Sequence, residues 1–391
     1  MQADRPFQVG FVHRLRFTRD AFHPENPAFA EAFEEPQTED RVTRRRAIIF
    51  IDDGVAKATP KLGDRIAEYL AGKARRGVHV PEIRAIETVH GGERAKNSTE
   101  VVDQVLSATD RFGIDRKSFV VAIGGGAVLD AVGFAAATAH RGVRLVRLPT
   151  TTLAQDDAGM AVKNGINRFG KKNYLGAFAV PWAVVCDELF LTTLTDRAFH
   201  CGFSEAVKIA CLKDPALLTE IECDAAAIRA RDLAKAMPII QRCAELHACH
   251  ITDGGDPFEL AEARPLDFGH WAAHKIESMT NYAVPHGEAV AIGIALDCQY
   301  AALAGLLPQA DATRITAALT ALGLPTSHES LDRVDELERG IEEFREHLGG
   351  RLNITMLTGI GHGVEVHTMD HALIARAAEA LRSRRATTMR P

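Results

Sequence analysis

Short apolar runs alternate with stretches of helical periodicity in the first half of the chain. Four runs have the length and composition of strands; they lie at 47–51, 83–89, 119–123 and 145–148. The first of them is typical of a buried parallel strand. Between them, apolar residues recur every three or four positions, as on a helix face, over 59–73, 99–112 and 127–139. Residues 6–18 alternate between apolar and polar and predict one more, half-buried strand. This order, continued to residue 187, predicts a doubly wound, Rossmann-like α/β sheet.

The pattern changes after about residue 194, where long Ala-rich helical stretches take over. Helices are predicted at 197–213, 215–221, 225–251, 267–280, 287–305, 309–322 and 330–347. Only residues 352–357 favour a strand in this half of the chain. We therefore expect an α/β domain over residues 1–194 and a mostly α-helical domain over residues 195–391.

Composition and charge narrow the class of protein. The 391 residues carry a net charge of −6, which gives no electrostatic reason to expect a nucleic-acid partner. Seven cysteines are scattered without a Cys-x-x-Cys pair, which favours a reducing cytoplasm over a disulfide framework. The amino terminus has no apolar signal core, and no run approaches the ~18 apolar residues of a membrane span. We expect a folded cytoplasmic protein.

Three histidines cluster in the stretch from 266 to 288. His270 and His274 are four residues apart and therefore share one helix face, and His286 follows in a Pro-His-Gly-Glu turn. Glu205 lies in an upstream helical stretch. One carboxylate and two imidazoles from separate helices can bind zinc and leave a position open for a substrate. A His-x-x-x-His pair by itself is more often two structural histidines, so the residues alone make the metal site a hypothesis.

Gly124–Gly126 end the strongest predicted strand and begin a helix. Glycines at that point let the backbone approach a phosphate, and the helix amino terminus attracts an anion. Asp130 follows closely, but the spacing differs from the Rossmann GxGxxG. Asp52 ends the first apolar run, where an acid commonly binds ribose hydroxyls. Each feature has a structural alternative: a tight turn for the glycines, a helix cap for Asp52, and a strand end for Thr150–Thr152.

A Gly-rich stretch from 155 to 178 carries cations but little periodicity of either kind. Its polar residues include Asp157, Lys163, Lys171, Lys172 and Asn173. Lysine binds phosphate as a point charge, and loops on a rigid sheet commonly carry function, so we interpret this irregular stretch as part of a binding site rather than as a solvated loop. Lys208 lies three residues after Glu205 on the same helix face, where an ordinary surface ion pair is the alternative.

These motifs occur together in an order that resembles the 3-dehydroquinate synthase family of sugar phosphate cyclases. The resemblance covers residues 45–360 and is carried by GGGAVLDAVGF, PTTTLAQDDAGMAVKNGIN, GKKNYLGAF, GFSEAVK, LDFGHWAAH and HGEAVAIG. It implies an NAD-binding α/β domain, a helical domain that holds zinc, and an active site in the cleft between them. The ligand types also permit Co2+ or another divalent metal.

The resemblance implies a role for each matching residue. The implied metal ligands are Glu205, His270 and His286. The implied NAD contacts are Asp52, Glu93, Lys96, Gly125, Gly126, Asp130, Thr150, Thr151, Lys172, Phe190 and Thr193. The implied catalytic residues are Lys163, Lys208, His274 and Glu259, and the implied substrate contacts are Arg141, Asp157, Asn173, Arg264, Asp267 and Arg345. Arg141 is expected to reach the phosphate pocket of a neighbouring subunit, which implies a homodimer.

Several positions depart from the pattern of true dehydroquinate synthases. Cys249 or His250 stands where a lysine is expected, and Asp267 replaces an asparagine. Arg264 is displaced by one position, and Arg345–Glu346 align with a lysine pair. A lost cation and a gained anion disfavour a carboxylated substrate, because two anions ~4 Å apart repel by ~1 kcal/mol even in water. The chain looks most similar to an EboD-like branch, and we expect a ketose phosphate such as sedoheptulose 7-phosphate.

The implied reaction closes a carbocycle without net redox change. It consists of transient oxidation by NAD, β-elimination of phosphate, re-reduction and intramolecular aldol closure. The alternatives are a 3-dehydroquinate synthase acting on a seven-carbon keto acid phosphate, an NAD-dependent metal polyol or glycerol-phosphate dehydrogenase, and a non-catalytic binding protein. The expected partner is a small sugar phosphate, with no nucleic acid and no membrane.

Overall fold

The computed structural model describes residues 4–5, 8–34, 45–254, 258, 265–347 and 350–388. These residues form two compact units. The first unit runs to residue 149 and includes 161–187, and the second contains 150–160 and the residues from 188 onward. The sequence predicted one boundary, at residue 194; the units instead divide at residue 187, and the segment 150–160 belongs to the second unit.

A parallel sheet forms the centre of the first unit. Its strands and those of an attached hairpin are β1 (Leu15–Thr18), β2 (Arg46–Asp52), β3 (Glu82–Val89), β4 (Phe119–Gly124), β5 (Arg144–Pro149), β6 (Lys163–Arg168), β7 (Lys171–Phe178) and β8 (Ala183–Asp187). Its helices are α1 (Ala28–Glu31), α2 (Asp53–Ala58), α3 (Leu62–Arg75), α4 (Glu100–Arg111) and α5 (Gly126–Thr138). The six sheet strands lie in the order β1-β8-β5-β4-β2-β3, and every neighbouring pair is parallel.

The strand order creates a switch point between β2 and β4. β2 has β3 on one side and β4 on the other, so the chain changes its direction of travel across the sheet there. In open α/β sheets, such a point opens a crevice at the carboxyl ends of the strands. β4 is buried along its whole length, and β2 along all but its first residue. The predicted apolar runs and the doubly wound fold are therefore confirmed, although β1 begins only at Leu15.

The stretch predicted to be irregular is instead an antiparallel hairpin of β6 and β7. The prediction was wrong because neither strand shows an apolar alternation. β6 buries the polar side chains of Asn164 and Asn167, whose amides form hydrogen bonds, and β7 is exposed along most of its length. Polar burial on one strand and exposure on the other remove the period-two signal of a strand.

Arg147 on β5 ties this hairpin to the sheet. Its guanidinium is fully buried and donates hydrogen bonds to the carbonyl of Ala161 at 2.6 Å, the carbonyl of Lys163 at 3.2 Å and Oδ1 of Asn164 at 2.6 Å. Burial lowers the pKa of Arg147 to about 10, which leaves it charged at neutral pH. A buried arginine therefore positions the hairpin that carries Lys163 and Asn173.

The second unit is mostly helical. Its helices are α6 (Asp196–Cys201), α7 (Phe203–Lys213), α8 (Pro215–Arg229), α9 (Leu233–Thr252), α10 (His270–Met279), α11 (His286–Leu303), α12 (Gln309–Ala321), α13 (Val334–His347) and α14 (His371–Thr388), and its strands are β9 (Ile354–Gly359) and β10 (His362–Val366). A π-helical turn, Ala154–Ala158, packs on α7 and α9, which explains why the segment after β5 belongs to this unit. α7 is buried from Phe203 to Leu212 and α11 from Gly287 to Ala301, apart from Glu288, so both are central helices.

Four details of the helical half differ from the prediction. One predicted helix, 197–213, breaks at Gly202 between α6 and α7. The predicted break near residue 223 lies instead at 230–232, because Arg231 adopts a left-handed φ of 64° and Asp232 caps α9. β10 and α14 were not predicted. Across the described residues, no helix combines the length and apolarity needed to cross a bilayer.

Candidate active site

Three predicted metal ligands of the second unit converge. Glu205 lies on α7, whereas His270 and His286 are the first residues of α10 and α11. Nε2 of His270 lies 3.5 Å and Nε2 of His286 lies 3.6 Å from Oε1 of Glu205. The Glu205 side chain is 1% exposed, and neither of its oxygens has a well-formed hydrogen bond within the described residues. The three ligand atoms surround a point that suits one divalent ion.

The hydrogen bonds of both imidazoles fix the tautomer that a metal requires. Nδ1 of His270 donates to the carbonyl of Phe268 at 3.1 Å, and Nδ1 of His286 donates to Oε2 of Glu277 at 3.1 Å. Because these acceptors require a proton on Nδ1, each neutral ring presents the Nε2 lone pair toward Glu205. Glu277 is buried and was not predicted. Its position, seven residues after His270 on the same helix face, was the available signal.

His274 lies beside both imidazole ligands. Its ring stacks on His286 with centroids 5.9 Å apart and meets the ring of His270 edge-on at 5.5 Å. His270 and His274 share one face of α10, as predicted.

A buried chain of charges extends from Glu205. Nζ of Lys208 lies 2.5 Å from Oε2 of Glu205 and 3.8 Å from Oδ1 of Asp157. Nδ1 of His247 lies 2.9 Å from the same Asp157 oxygen, without an aligned hydrogen bond. Burial acts to raise the carboxyl pKa values, but the ammonium of Lys208 holds the pKa of Glu205 well below and that of Asp157 below the usual range. Lys208 and Glu205 therefore form the ion pair that the sequence offered as an alternative, but the pair is buried rather than on the surface.

His247 was missed by the sequence interpretation, which considered Cys249 and His250. Cys249 is exposed at the end of α9, whereas His247 is buried. The apolar face of α9 includes Ile240, Cys243 and Ile251, and His247 falls on it at helical spacing. A polar residue on an apolar face was the signal that could have found it.

Further acids surround Lys208. Asp156 is fully buried, and neither of its oxygens has a hydrogen-bond partner among the described residues. Burial, reinforced by Asp157 and Glu205, raises the pKa of Asp156 well above its usual range. The charge of Asp267, in the short turn Pro265–Asp267, adds to the forces that raise the pKa of Lys208. Acidic side chains therefore outnumber the ammonium in this part of the unit.

Other predicted residues of the second unit lie elsewhere or have local roles. Arg345 is half-exposed on α13 and pairs with Glu342 at 2.5 Å, and its contact with a substrate stays a prediction. Thr151 Oγ1 accepts from the N–H of Ala154 and caps the π-helical turn, and Thr150 is buried. In the turn Glu188–Thr193, the Thr193 hydroxyl donates to the Phe190 carbonyl. Glu259 and Arg264 lie outside the described residues.

The predicted nucleotide residues of the first unit lie at the carboxyl ends of β2 and β4. Asp52 caps α2, because its Oδ1 accepts from the N–H of Gly54 at 2.7 Å and of Val55 at 3.4 Å. The predicted helix cap is therefore present, and the contact of Asp52 with a ribose stays a prediction. Gly125 has extended backbone before the first residue of α5, Gly126, and no side chain within the described residues caps that terminus. A helix amino terminus at a switch point is a site for an anion such as a phosphate.

Four further predicted residues cluster in the same unit. Nζ of Lys96 lies 2.6 Å from Oδ2 of Asp130, and Nζ of Lys172 lies 4.0 Å from Oε1 of Glu93. Asn167, which was not predicted, joins them: its amide donates to Glu93 at 2.8 Å.

Two predicted substrate residues of the first unit adopt left-handed backbone. The N–H of Asn173 donates to Oδ1 of Asn167 at 2.9 Å, and its φ is 52°. Arg141 is exposed in the turn after α5, with a φ of 64°. Lys163 is exposed at the start of β6.

A Rossmann-like parallel sheet and a Glu-His-His set suited to one divalent ion define an enzyme class, and known proteins place the chain within it. Residues 86–201 match the 3-dehydroquinate synthase N-terminal family and residues 202–343 the 3-dehydroquinate synthase C-terminal family. The 2-epi-valiolone synthase of Actinosynnema mirum is 34% identical over 347 residues, 86% of each protein. The 3-dehydroquinate synthase of Halorhodospira halophila is 36% identical over 288 residues, 72% of this chain and 79% of that one. The chain belongs to the 3-dehydroquinate synthase family, as the resemblance predicted, and is a carbon–oxygen lyase by class.

A solved structure supports the same assignment. The 2-epi-5-epi-valiolone synthase of Streptomyces hygroscopicus subsp. jinggangensis, solved with NAD+ and Zn2+ bound, is 28% identical and superposes with a TM-score of 0.86. The superposition covers 98% of this chain and 100% of that one. The fold class predicted from the sequence is therefore confirmed.

Proposed function

We propose that this chain is an NAD- and zinc-dependent sugar phosphate cyclase that acts on a ketose phosphate without a carboxylate, such as sedoheptulose 7-phosphate. The reaction would eliminate phosphate and close a carbocycle without net redox change. The family supports the cyclase class, and a relative that is 34% identical is a 2-epi-valiolone synthase. The observation that carries the proposal is the convergence of Glu205 with the two lone pairs of His270 and His286 at 3.5 and 3.6 Å.

The residues of the second unit fit a zinc ion. Glu205, His270 and His286 would hold it, because Oε1 of Glu205 faces both imidazoles without a well-formed hydrogen bond within the described residues, and a cation would complete this set of ligand atoms. When bound, the ion supplies Lewis-acid polarisation of a substrate hydroxyl or carbonyl. The hydrogen bonds to Glu277 and to the Phe268 carbonyl would keep both rings oriented. The same residues would accept Co2+.

NAD is supported by the first unit and by a relative solved with it. When bound, the cofactor accepts a hydride and returns it. Gly125 and Gly126, at the amino terminus of α5, would accommodate the pyrophosphate. Asp52 ends β2 at the switch point, where a carboxylate can accept hydrogen bonds from ribose hydroxyls. The pair of Lys96 and Asp130 would hold the edge of this site.

The charges near Lys208 support a substrate without a carboxylate. Asp157 lies 3.8 Å from its ammonium, and the charge of Asp267 also acts on that ammonium. A substrate carboxylate would meet these anions in a buried site, where repulsion exceeds the ~1 kcal/mol expected in water. Hydroxyl groups can donate to the same carboxylates at no such cost. Lys208 would bind a substrate oxygen, and His274, stacked beside the ligands, would move protons near neutral pH.

Phosphate release from two seven-carbon substrates tests the proposal. Purified protein is incubated with NAD, zinc and either sedoheptulose 7-phosphate or the carboxylated seven-carbon keto acid phosphate, and free phosphate is measured. We expect release from the ketose phosphate, with no accumulation of NADH because the cofactor is recycled. Release only from the keto acid phosphate would contradict the proposed substrate and favour the second candidate, 3-dehydroquinate synthase, which the relative of 36% identity supports. Steady NADH accumulation with a polyol would instead indicate a dehydrogenase.

A homodimer is the proposed assembly. Arg141 is exposed in the turn after α5, where the family resemblance expects an arginine that serves the neighbouring subunit. Mixing inactive Arg141→Ala and Glu205→Gln proteins tests this proposal. Mixed dimers should recover part of the activity if the arginine acts across subunits, and no recovery after subunit exchange would contradict it.

A further inference from the structure

Asp297 lies on α11 and is fully buried. Its Oδ2 accepts a hydrogen bond from the backbone N–H of Gly269 at 2.9 Å, and its Oδ1 accepts one from the indole N–H of Trp271 at 2.8 Å. Gly269 and Trp271 are the residues on either side of His270, the first residue of α10. The buried carboxylate of Asp297 therefore binds the backbone of Gly269 and the side chain of Trp271, the two neighbours of the proposed metal ligand His270.

The side of α11 that begins with His286 also carries Gly293 and Asp297, and these two residues contact Gly269 at the start of α10. Gly293 and Asp297 follow His286 by seven and eleven residues, which places them within about 20° of it around the helix axis. A Cβ at Gly293 would overlap the carbonyl of Gly269, so the two backbones are in direct contact. Gly269 has a φ of 80°, and a Cβ there would lie 2.8 Å from the side chain of Ile294. The start of α10 is thereby held against the helix that begins with the second imidazole ligand.

We propose that Asp297 is a positioning residue of the metal site. By holding Gly269 and Trp271, it keeps the imidazole of His270 directed at the point shared with Glu205 and His286. The inference rests on the proposed metal site but not on the proposed substrate or reaction.

The two contacts of Asp297 require an acceptor-only group. Both partners are N–H donors, and a carboxylate offers each of them an oxygen. In Asp297→Asn, the amide would keep the volume but would direct its NH2 group at one of the two donors. The pKa of Asp297 is raised to about 7 by burial, so the comparison is made at pH 8, where the carboxylate is mostly ionised.

Zinc affinity, measured by competition with a chromophoric chelator, tests the proposal without any substrate. Loss of a group that orients a metal ligand typically weakens metal binding by roughly 10–100-fold, and we expect a loss of that size in Asp297→Asn. The visible spectrum of the Co2+-loaded protein should shift as well, because the ring of His270 would be reoriented. Zinc affinity within twofold of the wild type, with an unchanged Co2+ spectrum, would overturn the proposal.

Asp214→Asn is the matched control. Asp214 also accepts two N–H groups, from Ala216 and Leu217, and it caps α8 rather than contacting either neighbour of a metal ligand. We expect this variant to keep wild-type zinc affinity and the wild-type Co2+ spectrum. An equal loss of zinc affinity in Asp214→Asn would mean that any destabilised helix weakens the site, and it would refute a specific role for Asp297.

Trp271→Phe provides a second, milder variant. It removes only the indole donor, and we expect roughly threefold weaker zinc binding. In the double variant with Asp297→Asn, the new amide no longer faces the indole N–H, so the combined loss should be smaller than the product of the single losses. If Asp297→Asn does not fold, the zinc affinity of Trp271→Phe by itself tests the proposal. A zinc affinity of Trp271→Phe equal to that of the wild type would then overturn it. Failure of the phosphate-release assay leaves these zinc measurements unaffected, so the two proposals fail separately.

Discussion

The two units differ in how their buried charged side chains are paired. In the first unit, the buried guanidinium of Arg147 has three acceptors, and Lys96 pairs with Asp130 at 2.6 Å. In the second unit, the oxygens of Glu205 and Asp156 lack well-formed hydrogen bonds within the described residues. Unsatisfied buried carboxylates are costly unless a cation or ligand completes them. The first unit therefore pairs these two buried cations internally, whereas the second has buried carboxylate oxygens that a bound cation could complete.

This difference follows from the groups that each unit offers to a ligand. A parallel sheet places strand ends and helix amino termini at one edge, so the backbone itself supplies groups for a phosphate. In the helical unit, the predicted ligands are instead side chains that project from facing helices toward one another. Four predictions test the comparison, from the largest expected effect to the smallest.

The largest effect is expected for Glu205→Gln. A neutral amide cannot replace the carboxylate ligand, and zinc affinity should fall by on the order of 1,000-fold, about 4 kcal/mol. Isothermal titration or chelator competition measures it. Glu222→Gln is the control, since Glu222 pairs with Arg314 on a partly exposed surface and its loss should leave zinc binding unchanged. Tight zinc binding by Glu205→Gln would show that the second unit does not depend on this ligand.

Arg147→Met should destabilise the first unit by about 3 kcal/mol. Methionine preserves the apolar length but leaves the acceptors at Ala161, Lys163 and Asn164 without their donor. Urea unfolding followed by Trp182 fluorescence in a Trp271→Phe background reports on this unit. Arg76→Met, which breaks an exposed pair with Glu25, should cost under ~1 kcal/mol. Equal losses in the two variants would contradict a structural role for the buried guanidinium.

Zinc should protect the second unit selectively against hydrogen exchange. At zinc concentrations 100-fold above the dissociation constant, binding adds about 2.7 kcal/mol to the stability of the region that binds. Amides of α7, α10 and α11 that exchange through unfolding of the unit should slow by up to about 100-fold, while those of β2 and β4 should change little. Protection of both units to the same degree would erase the distinction between them.

The smallest effect concerns cysteine reactivity. Burial, aided by the charge of Glu288, raises the pKa of Cys201 to about 11, so almost no thiolate forms there until the pH approaches that value. At pH 8, iodoacetamide should label the exposed Cys223 and Cys249 within minutes and leave Cys201 unmodified. Mass spectrometry of tryptic peptides measures this order. Early labelling of Cys201 would show that the core of the second unit opens more readily than its burial indicates.

Much of the fold followed from periodicity because apolar burial has a regular spacing. The strand at 119–123 and the helix after it are continuous apolar patterns, and both were found nearly to the residue. The hairpin of β6 and β7 was missed because Asn164 and Asn167 are buried polar residues that only specific partners make acceptable. Helix breaks at Gly202 and Arg231 depend on local backbone geometry, which periodicity does not encode.

The candidate site divides in the same way. Glu205, His270 and His286 were predicted as metal ligands from residue types and order, and the structure brings their ligand atoms within 4.8 Å of one another. Glu277, His247, Asp156 and Asp297 went unrecognised, because each matters only through a partner distant in sequence. Asp297, for example, lies 28 residues after the backbone N–H that it accepts.

The sequence by itself determined the alternation of strands and helices, the family, and the residue types that can hold an ion and a nucleotide. These properties depend on local spacing and composition, which the linear chain records directly. Only the tertiary structure decided which nitrogen of each imidazole faces Glu205, that Lys208 is buried, and that Arg345 pairs on the surface. Protonation, burial and orientation are set by neighbours brought together from separate elements, so they exist only once the chain has folded.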